Sequence, residues 1–183
     1  MTGKCQNLKF GFTAAATSAD TECSSDGERY AQMLTDCKLG FELGYDCAWV
    51  LEHHFTDYFP TPSPIVVMSH LAAAFPGLSL GSCVLVLPWY NPLRLAEEIS
   101  MLSHFCKGDL HLAFGRGTAK IEYDAYDIDM SSAKERFKEA IKIINQALLG
   151  EPFEFKGDFY EVGRKVAIRP TPNREKIYFY GAV

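Results

Sequence analysis

The stretch that decides the fold is Asp46-Cys47-Ala48-Trp49-Val50-Leu51-Glu52-His53-His54-Phe55. Cys47 to Leu51 is a short apolar run of the kind that packs as a pleated strand. It stops on a carboxylate and two imidazoles, Glu52, His53 and His54. A strand end inside a core has little use for three ionisable groups, because burying them is costly. A site built at the carboxyl end of a parallel strand needs them there. The segment reads as one strand of a parallel sheet that ends on a functional rim.

The pattern continues on both sides. Leu8 to Thr13 reads as a preceding strand, with Leu8, Phe10 and Phe12 on one face. Ser25-Asp26-Gly27-Glu28 is a capping box. It opens a helix with the stripe Tyr30, Met33, Leu34, Cys37 and Phe41, ended by Gly44. Beyond the rim, Ser63-Pro64 sets an N-cap before a proline at the first helical position. Ile65, Met68, Leu71, Ala72 and Phe75 form that helix's stripe, and Pro76-Gly77 stops it.

Leu78 to Leu87 is a third strand, nearly continuous in apolar residues, as in strands buried on both faces. Asn91-Pro92 starts a helix that turns Leu95, Ile99, Leu102 and Phe105 inward and ends at Gly108. Leu110 to Gly115 is a fourth strand. Ser132-Ala133-Lys134-Glu135 is a second capping box, followed by Phe137, Ala140, Ile141, Ile144 and Leu148, with Gly150 ending the run. Phe153 to Ile168, with Gly157 between two β-prone stretches, reads as a hairpin. Ile177 to Tyr180 is a fifth strand.

Alternating strands and helices imply an α/β fold with parallel strands and crossover helices. Two architectures fit, a doubly wound sheet and part of a (β/α)8 barrel. The loop after the first strand carries no GxGxxG, which weakens the dinucleotide-binding form of the first. Five strands do not close an eight-stranded barrel. No repeat or linker divides residues 1–183, so one domain is expected.

The formal charge of -5 argues against a nucleic-acid footprint, which needs a basic patch. No apolar run approaches the ~20 residues that cross a bilayer. The start, Met1-Thr2-Gly3-Lys4, has no apolar segment of a secretory signal, so a cytoplasmic location is expected. None of the six cysteines forms a CxxC pair. Cys37, Cys47, Cys83 and Cys106 sit in apolar patterns as small hydrophobes, expected to be reduced.

Groups after the strands make up the candidate rim: Thr13 to Ala16, Glu52-His53-His54, Pro88-Trp89-Tyr90-Asn91, and Gly115-Arg116-Gly117-Thr118. Adjacent strand residues point to opposite faces. His53 and His54 therefore make a poor metal pair, and HxH or HExxH spacing is absent. Proton transfer is the better use of these imidazoles. Arg116, between glycines that permit close approach, suits a phosphate, or is a surface arginine on a tight turn. Lys134 and Arg136 place positive charge where a helix dipole disfavours it unless an anion binds, the alternative being a solvated face.

Trp89 and Tyr90 could stack on a flat ligand, line an apolar substrate pocket, or simply pack. His70 and His104 read as structural, and His111 could face either layer. Tyr123 and Tyr126, among aspartates, read as an exposed loop cover.

These residues in this order resemble the bacterial luciferase-like monooxygenase family of flavin-dependent (β/α)8 barrels. The resemblance runs through Leu8-Lys9-Phe10-Gly11-Phe12, Leu43-Gly44-Tyr45-Asp46 and Trp49-Val50-Leu51-Glu52-His53-His54-Phe55. It continues through Val86-Leu87-Pro88, Asn91-Pro92-Leu93-Arg94, Lys107-Gly108, Phe114-Gly115-Arg116-Gly117, Asp129-Met130 and Tyr178-Phe179-Tyr180-Gly181.

The resemblance implies oxidation of a small organic substrate by O2 and reduced FMN through a flavin C4a-peroxide, with a separate flavin reductase as partner. His53 aligns with the family's acid/base histidine, and Glu52 and His54 become its supports. Arg116 aligns with a flavin-phosphate arginine. Lys134 stands where the luciferases carry arginine, so Arg136 could serve instead. A non-prolyl cis peptide would fall at Cys83-Val84, which joins Gly115 among the cofactor-contacting positions. The reactive cysteine of the luciferase α subunit falls on Gly115.

Two alternatives stay open: a catalytically inactive flavin-binding or interaction fragment, and a dehydrogenase of the same fold using F420. An aldehyde, a terpene or a sulfonated compound would each suit an apolar aromatic pocket. The family barrel has eight βα units, so the chain reads as an N-terminal portion, a partial barrel. Its open edge after the fifth strand implies association into a homo- or hetero-oligomer, or poor stability alone.

Overall fold

The computed structural model describes residues 8–17, 25–57 and 59–182. Cys5 and Cys23 lie outside the described residues. The main sheet contains β1 (Gly11–Ala14), β2 (Cys47–Val50), β3 (Ser79–Val86), β4 (Leu110–Gly115) and β7 (Ile177–Gly181). Between them run α1 (Asp26–Glu42), α2 (Pro64–Ala74), α3 (Pro92–Phe105), α4 (Lys120–Ala125) and α5 (Ala133–Ala147). The hairpin is β5 (Phe153–Lys156) with β6 (Glu161–Val166).

The sheet order is β1-β2-β3-β4-β7, and every neighbouring pair is parallel. The order never reverses, so there is no topological switch point and the doubly wound alternative falls away. A sheet laid down strand beside successive strand is the arrangement of a barrel wall. β5 and β6 pair antiparallel in a sheet of their own, as the hairpin pattern predicts.

One face of the sheet carries Ala48, Val50, Leu80, Leu110, Leu112 and Phe114 into the core. The helices answer with Met68 and Leu71 from α2, Leu95, Ile99 and Leu102 from α3, and Ala140 and Ile144 from α5. Each fully buried aliphatic side chain stabilises the fold by about 1.5–3 kcal/mol.

Alternation sends Trp49, His111, Tyr178 and Tyr180 to the other face. There His111 Nδ1 lies 3.0 Å from the Tyr180 hydroxyl and its ring stacks on Tyr178. Among the described residues helices cover only one face, so β3 is not buried on both along its whole length: Cys83 is exposed and Val84 half-buried.

The helix starts follow local chemistry. Ser25 accepts the Glu28 N–H at 3.3 Å, Ser63 accepts the Val66 N–H at 3.4 Å, and Asn91 accepts those of Leu93 and Arg94 at 3.1 Å. Gly44, at φ +80, ends α1 in the left-handed region that glycine enters without cost.

Ser132 corrects its capping-box reading. It is already helical, and its hydroxyl donates to the Asp129 carbonyl at 2.6 Å. Asp129 does the capping, taking the Ser131 N–H at 2.9 Å, and a 3-10 turn, Met130–Ser132, leads into α5.

Other expectations also shift. Leu8 and Phe10 are exposed, and β1 begins at Gly11, because the Asp46 carboxylate takes the Phe10 N–H at 2.7 Å. Phe41 and Phe105, expected inward, are exposed at the rims of their helices. Tyr123, expected in an exposed loop, is buried on the unforeseen helix α4.

Candidate functional site

β2 releases the chain at Val50, and the next residues carry the ionisable groups beyond the sheet. Glu52 is buried, with its carboxylate oriented by three donors. They are the Val86 N–H at 3.1 Å, the Tyr90 hydroxyl at 2.8 Å and His54 Nε2 at 3.0 Å. A buried carboxylate is costly unless its oxygens are satisfied in this way. Burial and the Glu52 charge push the Tyr90 phenol far above its ordinary value, so it remains a donor.

His54 is equally engaged. Its N–H donates to Glu122 Oε1 at 3.0 Å, and its Nδ1 lies 2.8 Å from the Tyr126 hydroxyl. Burial, then Glu52 and Glu122, raise the Tyr126 phenol, which keeps it protonated. With Nε2 donating to Glu52, His54 Nδ1 accepts the hydrogen bond of the Tyr126 hydroxyl. His54 is a buried brace with both ring nitrogens engaged.

His53 differs. Its side chain is 35 % exposed, and its Nδ1 stands 3.5 Å from Glu122 Oε1. Its N–H donates to the Thr61 carbonyl at 3.2 Å, and its ring stacks on Phe59 with centroids 5.7 Å apart. His53 borders a cavity of about 400 Å³ at the carboxyl ends of β2, β3 and β4. Glu52, Cys83, Val84, Gly115, Arg116 and Glu122 also line it.

The floor and rim of this cavity follow from local geometry. The Cys83–Val84 peptide is cis, at an irregularity where β3 shifts register against β4. A Cβ on Gly115 would meet Val84 Cγ2 at 2.5 Å, so no side chain fits there. Gly117 follows Arg116 at φ +74. The Tyr123 hydroxyl donates to the Arg116 carbonyl at 2.5 Å. The Arg116 side chain is exposed at the rim and makes no hydrogen bond or ion pair among the described residues.

Glu52, His53, Cys83, Val84, Gly115 and Arg116 therefore share one cavity, with Glu52, His53, Gly115 and Arg116 coming from strand ends and Cys83 and Val84 from within β3. The other candidates lie elsewhere. Trp89 and Tyr90 line a separate cavity of about 330 Å³ with His54, Arg94 and Tyr126. They do not border the first cavity because the Tyr90 hydroxyl turns to Glu52 while Trp89 packs edge-on to Tyr123 at 4.4 Å. Lys134 and Arg136 also lie away from it. Arg136 bonds Ser132 Oγ at 3.1 Å and stacks over Phe159 at 4.7 Å, and Lys134 is exposed. Ala14 and Ala16 are buried, and no residue from Thr13 to Ala16 reaches the cavity.

Sequence reasoning missed Glu122 and took Tyr123 and Tyr126 for a loop cover with no part in the site. The one available signal is spacing: Tyr126 follows Glu122 by four residues and Tyr123 by three, the separations that bring side chains together on a helical turn. A third cavity, about 460 Å³ between α1 and α2, is lined mainly by apolar residues such as Met33, Leu34 and Val66, with His70 at its edge. It has no carboxylate or cation, so it lacks the chemistry of the strand-end cavity.

The model of the luciferase-like monooxygenase family matches residues 9–182. The chain is 28 % identical over 134 residues to the alkanal monooxygenase alpha chain of Photorhabdus luminescens, covering 73 % of this chain and 37 % of that one. It is 28 % identical over 145 residues to the oxygenase component of the flavin-dependent trigonelline monooxygenase of Acinetobacter baylyi, covering 78 % and 40 %. The crystal structure of monooxygenase RslO1 from Streptomyces bottropensis superposes with a TM-score of 0.88, covering 96 % of this chain and 54 % of that one. Its 24 % identity makes that a likeness of fold alone. The chain spans from 37 % to 54 % of the length of these relatives. The family match takes in every strand of the sheet and all sides of the strand-end cavity: the chain belongs to the luciferase-like monooxygenase family.

Proposed function

We propose that this chain forms the flavin-binding and proton-handling part of a monooxygenase that uses reduced FMN and O2 on a small organic substrate. One observation carries the reading: a partly exposed imidazole, His53, and a side chain of fixed positive charge, Arg116, border the same cavity. The cavity fits the group. Its volume is within the usual range for small-molecule sites. Gly115 leaves a stretch of floor without a side chain, and Arg116 offers a bidentate fork for a phosphate. Reduced flavin bound there would supply the electrons for activating O2.

The roles of the chain's own groups follow from their surroundings. Arg116 holds the phosphate at the rim. His53 gives and takes the proton, and Glu122 at Nδ1 favours the Nδ1–H tautomer, leaving Nε2 as the basic atom. Glu52, His54, Tyr90 and Tyr126 form the brace that fixes the His53–His54 backbone. A relative described as an oxygenase component supports delivery of reduced flavin by a separate reductase.

Fluorescence titration with FMN, riboflavin and F420 tests the binding half. FMN binding stronger than riboflavin binding, lost in Arg116→Ala, is the expected result. No FMN binding at high micromolar concentration overturns the reading, and F420 binding in its place selects the dehydrogenase alternative. Turnover with NADH, a flavin reductase and candidate substrates tests the chemistry, and loss on His53→Gln with FMN binding retained is expected.

A further inference from the structure

We infer that Tyr123 is a positioning residue for Arg116: its hydroxyl fixes the turn from which the guanidinium reaches the cavity rim, and it thereby sets the preference for phosphorylated over unphosphorylated flavin. The inference rests on the phosphate role proposed for Arg116.

Tyr123 is 1 % exposed, and its hydroxyl donates to the Arg116 carbonyl at 2.5 Å. Its ring packs edge-on against Trp89, with centroids 4.4 Å apart. Trp89 also packs on the turn, where a Cβ on Gly117 would meet its ring at 3.2 Å. Burial raises the Tyr123 phenol, which keeps it a protonated donor although the Arg116 charge pulls the other way. Gly115 is held as the last residue of β4, but on the other side of Arg116 the chain turns through Gly117 at φ +74, where glycine's conformational freedom leaves the turn in need of an outside tether. An arginine that must also order its long side chain on binding loses affinity if its backbone origin wanders.

The neighbouring residue on α4, Glu122, holds the His54 N–H. Removing the helix would therefore disturb both sides of the cavity, whereas Tyr123→Phe deletes one hydroxyl and keeps the ring. FMN and riboflavin titrations of the wild type and Tyr123→Phe give the test. FMN affinity is expected to fall roughly three- to tenfold, the equivalent of one hydrogen bond, with riboflavin affinity within about twofold. Unchanged FMN affinity, or equal weakening of both ligands, overturns the inference. If the wild type shows no preference for FMN, the phosphate reading of Arg116 falls by itself, and the tether is then judged on the ligand-free protein. There, faster amide hydrogen exchange at Arg116, Gly117 and Thr118 in Tyr123→Phe supports the tether, and unchanged exchange refutes it.

Discussion

Glu122 Oε1 lies 3.5 Å from His53 Nδ1 while accepting the His54 N–H at 3.0 Å. One buried carboxylate oxygen thus fixes the backbone of one histidine and faces the ring of the other. Glu122→Gln keeps an oxygen for the His54 N–H and removes the charge beside His53. Turnover is expected to fall roughly 10–100-fold, the usual cost of losing a group that orients a working imidazole. FMN affinity should stay within about twofold. Steady-state kinetics and flavin titration on the same preparation check both. An unchanged kcat would show that Glu122 serves the backbone alone.

The two histidines should separate into stability and chemistry. His54→Ala removes a donor from Glu52 and an acceptor from Tyr126 inside the fold. A buried polar group left unsatisfied costs about 1–3 kcal/mol. Urea unfolding should show a loss of at least that size. His53→Ala, at a partly exposed position, should change stability by less than about 1 kcal/mol while abolishing turnover. The opposite pattern would exchange the roles of brace and acid/base group.

Arg116 and Arg136 should separate in the same manner. Arg116→Ala is expected to weaken FMN binding about tenfold or more and leave riboflavin binding unchanged, as loss of a charge-assisted phosphate contact requires. Arg136 stacks on Phe159 of the hairpin and bonds Ser132. Arg136→Ala should cost about 0.5–1 kcal/mol of stability and leave flavin affinity unaltered. A loss of FMN affinity in Arg136→Ala would restore the helix start to the phosphate site.

The sheet was legible from the sequence where apolar alternation is strong. Leu110, Leu112 and Phe114 mark β4 to the residue. β1 was less legible, since the Asp46 carboxylate intercepts the Phe10 N–H, a tertiary bond that leaves no local pattern. His53 and Arg116 could be placed because strand ends and glycine-flanked turns are local features. Glu122 could not. The helix that carries it turns Glu122 and Tyr123 inward, so no apolar stripe announces it. Ser132 lost its cap to Asp129 by three residues, a distance that capping-box spacing does not resolve.

Cys83 offers a chemical test of the cavity without turnover. It is exposed at the cis peptide and lines the cavity, whereas Cys37, Cys47 and Cys106 are buried. Burial pushes the Cys37 thiol up to about 11 and the Cys47 thiol up to about 12, so neither supplies much thiolate near neutral pH. Among these four, Cys83 should react with iodoacetamide roughly tenfold faster or more, as its access and their burial require. Mass spectrometry of peptides taken at timed intervals measures this. FMN at saturation should slow the labelling, since the ligand would lie across Cys83, Val84 and Gly115. Once alkylated, the protein should bind FMN more weakly. Fast labelling of Cys83 that FMN does not slow would place the flavin outside this cavity, and with it the proposed role of Arg116.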